Sequence, residues 1–311
     1  MSDVVELLRD RVARDSRVPH RDGARIALVI EGGAMRGVVS AGMVSALEAL
    51  GFSHAFDAVY GSSAGAINAA YFLAGQAALG TRIYYEDINN ALFIDWRRAM
   101  GGRPIVDLGY LLDEVAVNRK HLEIDRVLQS IQPLAVMATD VDARTPAVLR
   151  GFTTGADLFQ ALRAGATMPI VAGGPHEVDG RRYFDASLSE PIPVPSAEAD
   201  GYTHILALLT RSGQMQPRPS AFDRYFVGPR LRRLSPELAE LYLDRAAPYA
   251  ALIEAIDAGT GPRGLARVLA IRVPGAAIHK LERRAHVLRE GARRGFEAVQ
   301  AVLGPPYNRT L

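Results

Sequence analysis

Residues 25–37 read RIALVIEGGAMRG, and residues 55–66 read AFDAVYGSSAGA. In the first stretch, the apolar run within residues 25–31 has no alternation of polar and apolar side chains and ends at glycines. Continuous apolarity of this length is typical of a strand that is buried on both faces of a parallel sheet. The second stretch repeats the arrangement, with a strand predicted at 55–60 and a glycine turn directly after it.

Each of these strands is followed by a segment with helical character, at 38–50 and at 66–79. The order strand, turn, helix, strand, turn, helix predicts a parallel sheet with right-handed crossovers. Further strands are predicted at 134–139 and 204–210. A helical or loop insertion at 81–130 separates the second helix from these strands.

The fold class we expect is a three-layer α/β/α domain with a mainly parallel central sheet, joined to a mainly helical C-terminal region. Helical spacing of apolar residues at 4–14 predicts an amphipathic helix that packs on the body. A proline-rich stretch at 214–220 marks the expected boundary. We therefore divide the chain into an N-terminal arm at 1–24, a catalytic domain at 25–213 and an extension at 214–311, with helices at 236–244, 249–258 and 281–303 and a strand-like segment at 270–273.

Composition excludes several classes of protein. Of the 311 residues, 49% are hydrophobic and 23% are charged, so a substantial core can form and wholesale disorder is excluded. The absence of cysteine rules out disulfides, thiolate metal sites and a cysteine nucleophile. The N-terminus lacks the apolar core of a signal peptide. We expect a cytoplasmic protein, which could also sit peripherally on the membrane, without a metal or a cofactor.

Positive charge is concentrated toward the C-terminus. Residues 211–311 contain 17 Lys and Arg against 9 Asp and Glu, whereas residues 1–210 contain 19 against 25. A basic surface attracts anions, so we expect this third of the chain to contact an anionic membrane, and we expect no nucleic-acid partner. The alternative is that these charges simply cover exposed helix faces.

The pentapeptide Gly61-Ser62-Ser63-Ala64-Gly65 is a Gly-x-Ser-x-Gly motif between a predicted strand and a predicted helix. In a nucleophile elbow, the serine occupies a tight, strained turn that exposes its Oγ, and the flanking glycines let the chain reverse. The motif predicts Ser63 as the nucleophile, and Ser62 is less favoured because it lacks the symmetric glycines. The alternative is a glycine-rich turn in which Ser63 only caps a helix.

A second glycine-rich turn, Gly32-Gly33-Ala34-Met35-Arg36-Gly37, follows the first strand. Ala34 breaks the Gly-x-Gly-x-x-Gly dinucleotide fingerprint, and no P-loop lysine follows. Consecutive small residues let backbone N–H groups converge on an oxyanion, which is the natural partner of a serine nucleophile.

The base that would activate the serine is less obvious. The seven histidines stand in no recognisable signature, although His204 follows Asp185 in the Ser, Asp, His order of α/β-hydrolases. Asp185 itself comes after a predicted hairpin at 177–183 whose turn is Asp179-Gly180. An aspartate at such a place commonly hydrogen-bonds its own backbone. The residues alone leave both Asp185 and His204 open.

Taken together, the glycine block at 32–37, the serine motif at 61–65 and the aspartate at 185 resemble the patatin-like phospholipase family. Residues 165–169 (GATMP) and 191–194 (PIPV) add to the resemblance, which covers about residues 26–210. The C-terminal remainder is similar to the extension of a bacterial subgroup. The chain departs from the usual motifs at Glu31 and Ala34, where the family has Asp and Gly, and at Ala186, where it has Gly.

The resemblance implies a Ser–Asp dyad without a catalytic histidine. Ser63 would attack an ester carbonyl, Asp185 would accept its proton, and water would hydrolyse the acyl-enzyme. An aspartate of ordinary pKa, near 3.9, is a weak base, so partial burial that raises this pKa is expected. The resemblance also implies an oxyanion and substrate-binding loop made of Gly32, Gly33, Ala34, Arg36 and Gly37, with Gly61 and Gly65 shaping the elbow.

We therefore expect a serine esterase that acts on lipid acyl esters, either phospholipids or lysophospholipids, with an acyl chain admitted by opening of residues 81–120. One alternative is an acyltransferase, in which an alcohol or thiol replaces water. The other is a catalytically weak module that binds lipid or a partner, given Ala34 and Ala186.

Overall fold

The computed structural model describes residues 3–212, 219–275 and 278–304. Within these ranges, one eight-stranded sheet forms the centre of the molecule. Its strands are β1 (Ile26–Ile30), β2 (Ala58–Ser62), β3 (Leu134–Asp140), β4 (Thr145–Leu149), β5 (His176–Val178), β6 (Arg181–Asp185), β7 (His204–Leu209) and β8 (Arg267–Arg272).

The sheet runs in the order β5-β6-β3-β2-β1-β7-β8, with β4 on the other edge of β3. The five strands β3, β2, β1, β7 and β8 are parallel, and β4, β5 and β6 are antiparallel to their neighbours. The mainly parallel sheet that the sequence predicts is therefore confirmed.

Helices cover both faces of this sheet. They are α1 (Asp3–Ala13), α2 (Val38–Ala49), α3 (Ala64–Leu73), α4 (Ala77–Glu86), α5 (Ile124–Leu128), α6 (Gly155–Ala166), α7 (Val194–Ala199), α8 (Gly228–Leu234), α9 (Pro236–Leu243), α10 (Ala246–Asp257) and α11 (Ala285–Leu303). A ten-residue π-helix lies at Tyr110–Arg119, and short helical segments lie at Ala34–Gly37, Phe52–His54, Trp96–Gly101, Ala186–Leu188 and Asp223–Val227.

Alternate residues of the strands divide the core into two apolar layers. In β1, Ile26 and Leu28 pack in the layer that contains α2, α3 and α11. Ala27 and Val29 pack in the layer that contains α7 and α10. Because both faces are covered, the strand is apolar throughout, and the predicted three-layer architecture is confirmed.

β3 brings two distant parts of the chain together. Its whole carboxyl half pairs with β4 along one edge, so β2 and β6 must share the other edge. Ser62, at the end of β2, pairs with Met137, and Asp185, at the end of β6, pairs with the next residue, Ala138. β2 and β6 run in opposite directions, and their carboxyl ends therefore meet.

Two details of the predicted elements need correction. The predicted helix at 66–79 is wrong, because α3 ends at Leu73 and α4 begins at Ala77, with Gly75 at φ +69 between them. The sequence patterns also missed β4 and α6. The start of α6 carried a signal, since Thr154 and Asp157 form a reciprocal capping box.

The C-terminal region contributes to the same sheet and layers. β8 pairs with β7, and α11 packs closely along α2, where a Cβ on Gly295 would lie only 2.1 Å from the carbonyl oxygen of Val39. The expected boundary at residues 213–214 and most of the proline-rich stretch lie outside the described residues, so the division into domains stays a prediction. At the other end, α1 packs against α11 and buries Arg11, which bonds Asp22 and Asp57.

Candidate active site

Ser63 forms the turn between β2 and α3. Its backbone has φ 55° and ψ −129°, which is a strained conformation for a residue with a side chain. Close packing holds the turn: a Cβ on Gly61 would lie 2.4 Å from the Cα of Ala66, and a Cβ on Gly65 would lie 2.3 Å from the carbonyl oxygen of Ile30. The two glycines of the motif are thus required for the chain to reverse, and Ser63 lines a cavity at the carboxyl edge of the sheet.

Asp185 is fully buried at the same edge, and hydrogen bonds fix its backbone. Its N–H donates to Thr167 O (2.9 Å), and its carbonyl accepts from Thr139 Oγ1 (3.0 Å). Oδ1 accepts from Ser187 N at 2.7 Å, as a turn aspartate does. Among the described residues, Oδ2 has no partner of standard hydrogen-bond geometry, and Asp185 lines the same cavity as Ser63.

Burial determines the acidity of this carboxyl. It raises the pKa of Asp185, and the nearby hydroxyl of Ser63 and the amide of Ser187 lower that pKa in part. Loss of solvation disfavours the charged form of a carboxylic acid. The ionised Asp185 is therefore a stronger base than an aspartate in water, as a proton acceptor for Ser63 requires.

The glycine-rich loop lies against the elbow. Gly33 has φ +140° and Ala34 has φ +52°. The N–H of Met35, which comes next, donates to Lys280 O at 3.1 Å. Within the described part of the chain, the N–H groups of Gly32, Gly33 and Ala34 donate no hydrogen bond. Three consecutive free donors are what an oxyanion-binding loop needs.

Arg36 and Gly37 occupy different places. Arg36 lines the cavity together with Ser63, and its Nε donates to Thr210 Oγ1 at 3.2 Å. Burial, together with the neighbouring cation Arg211, lowers the pKa of Arg36 to about 10. Gly37 lies behind the loop, where its carbonyl accepts from Asn68 Nδ2 at 2.9 Å. It supports the loop and lines neither cavity at Ser63.

Two cavities meet at Ser63. One is mostly apolar and has about 930 Å³ of empty space, part of it open to solvent, with walls that include Ile67, Ile83, Phe93, Leu111 and Val171. The other has about 660 Å³ of empty space, likewise partly open to solvent, and is lined by the glycine loop, Asp185 and several cations. Because Ser63 lines both, an ester at its Oγ would have an apolar space on one side and a polar space on the other.

His204 lies far from this site. It is the first residue of β7 and pairs with Ile26, the first residue of β1, so it stands at the amino edge of the sheet. Its Nδ1 shares a hydrogen bond with Thr203 Oγ1, and its Nε2 lies 3.6 Å from Asp3. A six-residue strand spans about 20 Å. A catalytic triad of Ser63, Asp185 and His204 is therefore excluded. Among the described residues, no histidine lines either cavity at Ser63.

A family model described as patatin-like phospholipase matches residues 28–198, more than half of the chain, and this range contains the glycine loop, Ser63 and Asp185. The chain belongs to the patatin-like phospholipase family. The family is described as one of phospholipases, enzymes that hydrolyse lipid esters. In the described ranges of this patatin-like protein, no helix is long and apolar enough to cross a bilayer.

This patatin-like protein is similar to several curated bacterial proteins that are named as uncharacterized. The protein YjjU of Escherichia coli K12 is 27% identical over 227 residues, which are 72% of this chain and 62% of YjjU. The NTE family protein Rv1063c of Mycobacterium tuberculosis H37Rv is 27% identical over 185 residues, which are 57% of this chain and 47% of the relative. The aligned residues thus span about half to three fifths of these relatives.

Sequence reasoning missed the cations of the polar cavity. Arg211, Arg245 and Lys280 all line it, although they come from widely separated segments. The excess of positive charge after residue 211 was a signal, but it did not indicate which of the 17 basic side chains turn inward.

Proposed function

We propose that this patatin-like protein is a serine lipid acyl hydrolase of the phospholipase A or lysophospholipase type, with Ser63 as nucleophile and Asp185 as base. One observation carries the proposal. Ser63 stands where a mostly apolar cavity meets a polar one, and the polar cavity holds a fully buried carboxyl group. An amphiphilic ester fits this arrangement, and a small polar ester would leave most of the apolar space empty.

The reaction proceeds through an acyl-enzyme. Ser63 Oγ attacks the ester carbonyl while Asp185 takes the hydroxyl proton, and the N–H groups of Gly32, Gly33 and Ala34 receive the negative charge on the carbonyl oxygen. The intermediate collapses, the alcohol leaves with the proton from Asp185, and Ser63 stays acylated. Water then attacks the acyl group while Asp185 accepts a proton from it. Asp185 returns this proton to Ser63 Oγ as the carboxylic acid is released.

The apolar cavity suits an acyl chain. Much of its wall comes from the insertion between α4 and β3, including Ile88, Phe93, Val106 and Leu111. Trp96 and Phe222 also line this cavity, and both side chains are partly exposed, at 54% and 38%. The chain of a lipid would therefore enter between the insertion and the segment that precedes α8.

A surface that fits an anionic membrane adjoins the entrance. Trp96, Phe222, Phe226 and Leu234 line one groove there, and Met100 and Tyr225 are exposed on the same two segments; we call these six side chains the docking surface. Exposed arginines accompany them on the same segments, namely Arg97, Arg224, Arg230, Arg232 and Arg233. Aromatic side chains favour the interfacial region of a bilayer, and each nearby arginine contributes about 1 kcal/mol at an anionic surface. Peripheral membrane contact through this part of the basic C-terminal third is part of the proposal.

The experiment compares hydrolysis of p-nitrophenyl butyrate and octanoate by wild type, Ser63→Ala, Asp185→Asn and His204→Ala. We expect both dyad variants to lose at least about 10³-fold in kcat/KM, and His204→Ala to remain active because His204 lies at the opposite edge. Circular dichroism establishes that each variant is folded. A fluorophosphonate probe should label Ser63 in the wild type, as read by peptide mass spectrometry.

Turnover by Ser63→Ala at the wild-type rate would overturn the assignment of the nucleophile. Wild-type protein that hydrolyses neither ester nor lysophospholipid vesicles, and that the probe does not label, would favour the weak binding module instead.

A further inference from the structure

Four basic side chains line the polar cavity beside Ser63: Arg36, Arg211, Arg245 and Lys280. Arg36 follows β1, Arg211 follows β7, Arg245 precedes α10, and Lys280 precedes α11. The cavity also contains two carboxylates, Glu31 and Asp185. Four elements that are distant in the sequence thus direct cations into one space next to the nucleophile.

Two of these cations have a counter-ion in the protein. Arg211 lies 3.3 Å from Glu31 Oε1 and stacks over the ring of Tyr249. Arg245 lies 3.6 Å from Asp223 Oδ2. Glu31 is engaged elsewhere as well, because its Oε2 accepts hydrogen bonds from the backbone and side chain of Thr210. This carboxylate therefore holds the end of β7 and is not free to bind a ligand cation.

The other two cations, Arg36 and Lys280, make no ion pair with any described residue. Arg36 is only 7% exposed, and its one hydrogen bond, through Nε, leaves the rest of the guanidinium without a protein partner. Lys280 is mostly buried, and burial together with the cations Arg245, Arg36 and Arg211 lowers its pKa. Asp223 acts on Lys280, and Glu31 acts on Arg36, only at longer range than an ion pair. Burying a cation without a counter-ion in direct contact is costly, so this cavity is prepared for an anion from outside the protein.

The position of Lys280 relates this anion to the reaction. Lys280 lines both cavities, at the place where Ser63 also lines both. The carbonyl of Lys280 accepts the N–H of Met35, so the same residue supports the oxyanion loop from behind. With the acyl chain in the apolar cavity, the alcohol part of the ester must lie in the polar cavity, against these cations.

We propose that the polar cavity is a phosphate subsite, in which Lys280 and Arg36 bind a phosphate group carried by the alcohol part of the scissile ester. The inference rests on the proposed function and narrows its substrate class to acyl esters of phosphorylated glycerol with a net negative headgroup. Neutral glycerides leave the two cations without a partner. A zwitterionic headgroup adds a positive charge, and the two carboxylates of the cavity, Glu31 and Asp185, are not free to pair with it.

The experiment uses two soluble esters with the same hexanoyl chain, monohexanoylglycerol and its 3-phosphate, so that membrane contact does not contribute. We expect wild type to prefer the phosphate ester by at least about tenfold in kcat/KM, and Lys280→Met to lose most of that preference. Lys280→Arg should retain it. Arg21→Met is the matched control, because Arg21 is exposed and lines neither cavity; its preference should equal that of wild type. The readout is the ratio of kcat/KM for the two esters, so any effect of a variant on Ser63 or Asp185 that is common to both esters cancels.

Binding is measured independently of turnover. Calorimetry with Ser63→Ala should detect binding of glycerol 3-phosphate but not of glycerol. The double variant Ser63→Ala, Lys280→Met should bind glycerol 3-phosphate about tenfold more weakly, or weaker still. This measurement decides the proposal even if no ester is hydrolysed, so that failure of the proposed function and failure of the subsite can be told apart.

Equal kcat/KM for the two esters, or a preference that Lys280→Met leaves intact, would overturn the subsite. Inorganic phosphate is the remaining arm of the experiment. If it bound as tightly as glycerol 3-phosphate while the phosphate ester gained no rate, the cavity would be a site for free phosphate and the headgroup assignment would be wrong.

Discussion

A Cβ on Gly32 would lie 2.7 Å from the Cβ of Ser63, so the glycine-rich loop and the nucleophile turn are in direct contact. The same Cβ would lie 2.2 Å from the carbonyl oxygen of Ser62, which is backbone and cannot move aside. Any side chain at position 32 must therefore displace the loop from the elbow.

Gly32→Ala should inactivate the protein while it still folds. Displacing the loop removes its N–H groups from the oxyanion, and losing one such donor costs about 10² to 10³ in kcat. The measurement is kcat for p-nitrophenyl butyrate, with circular dichroism as the test of folding. Gly101→Ala is the control, since a Cβ there meets nothing within 4 Å. A Gly32→Ala variant with wild-type kcat would contradict the loop's role.

Ala34→Gly should stabilise the protein. Ala34 has φ +52°, and this left-handed conformation costs a residue with a Cβ about 1 to 2 kcal/mol. Glycine also makes the unfolded chain more flexible, which offsets part of the stability gained by relieving this strain. We therefore expect a net increase of up to about 1 kcal/mol in the free energy of unfolding, measured with urea. Ala143→Gly, at an exposed alanine without positive φ, should instead destabilise by about 0.5 to 1 kcal/mol. Equal losses in the two variants would show that position 34 is not strained.

Asp185 makes both activity and stability depend on pH. Because its pKa is raised in the folded protein by burial, kcat/KM should fall as the pH decreases through a value above about 4, where the base becomes protonated. A pH profile with wild-type protein and a soluble ester measures this. An acid limb at or below the pKa of a free aspartate would contradict the assignment.

The stability effect has the opposite sign. Below the unfolded pKa, Asp185 is protonated in both states and its contribution to stability is fully present, and this contribution is lost as the pH rises through the raised folded pKa. The Tm of Asp185→Asn relative to that of wild type should therefore increase as the pH rises from below about 4, the pKa of an aspartate in the unfolded chain. Asp125→Asn, at an exposed aspartate, is the control for the loss of a carboxyl group outside the site.

Membrane contact should depend on the docking surface. Tyr225 is 75% exposed there, and Tyr225→Ser together with Arg233→Ser should weaken cosedimentation with liposomes that contain phosphatidylglycerol, most clearly at low salt. Leu265→Ser is the matched control, because Leu265 is 70% exposed but precedes β8 at the opposite edge of the sheet. Equal binding by the double variant and wild type, or no effect of salt, would sink this part of the proposal.

Local pattern was sufficient for much of the fold. The apolar run in β1 and the glycines after it predicted a strand buried on both faces and a turn into α2, and the structure has both. The break between α3 and α4 was not predictable in this way. Both helices are rich in apolar residues, so periodicity alone does not show that the chain turns at Gly75.

In the candidate site too, the residues in local motifs could be predicted from the sequence and those brought together over long distances could not. Ser63 and the glycine loop stand in short motifs whose chemistry is local, and Asp185 was identified only because the motifs together resemble a family. The pairing of β2 and β6 with one edge of β3 is a long-range event, and so is the arrival of Arg211 and Lys280 in one cavity. No periodicity in the sequence encodes either of them.

The shared edge of β3 also determines which parts of this chain can change in length. The distance between the nucleophile turn and the carboxylate depends on two consecutive pairings, Ser62 with Met137 and Asp185 with Ala138, and not on the lengths of the segments that connect β2 to β3 and β3 to β6. Insertions or deletions in the segment after α4, which supplies much of the wall of the apolar cavity, would reshape the entrance without moving the reacting atoms. The fold thereby separates the evolution of substrate selection from the preservation of chemistry.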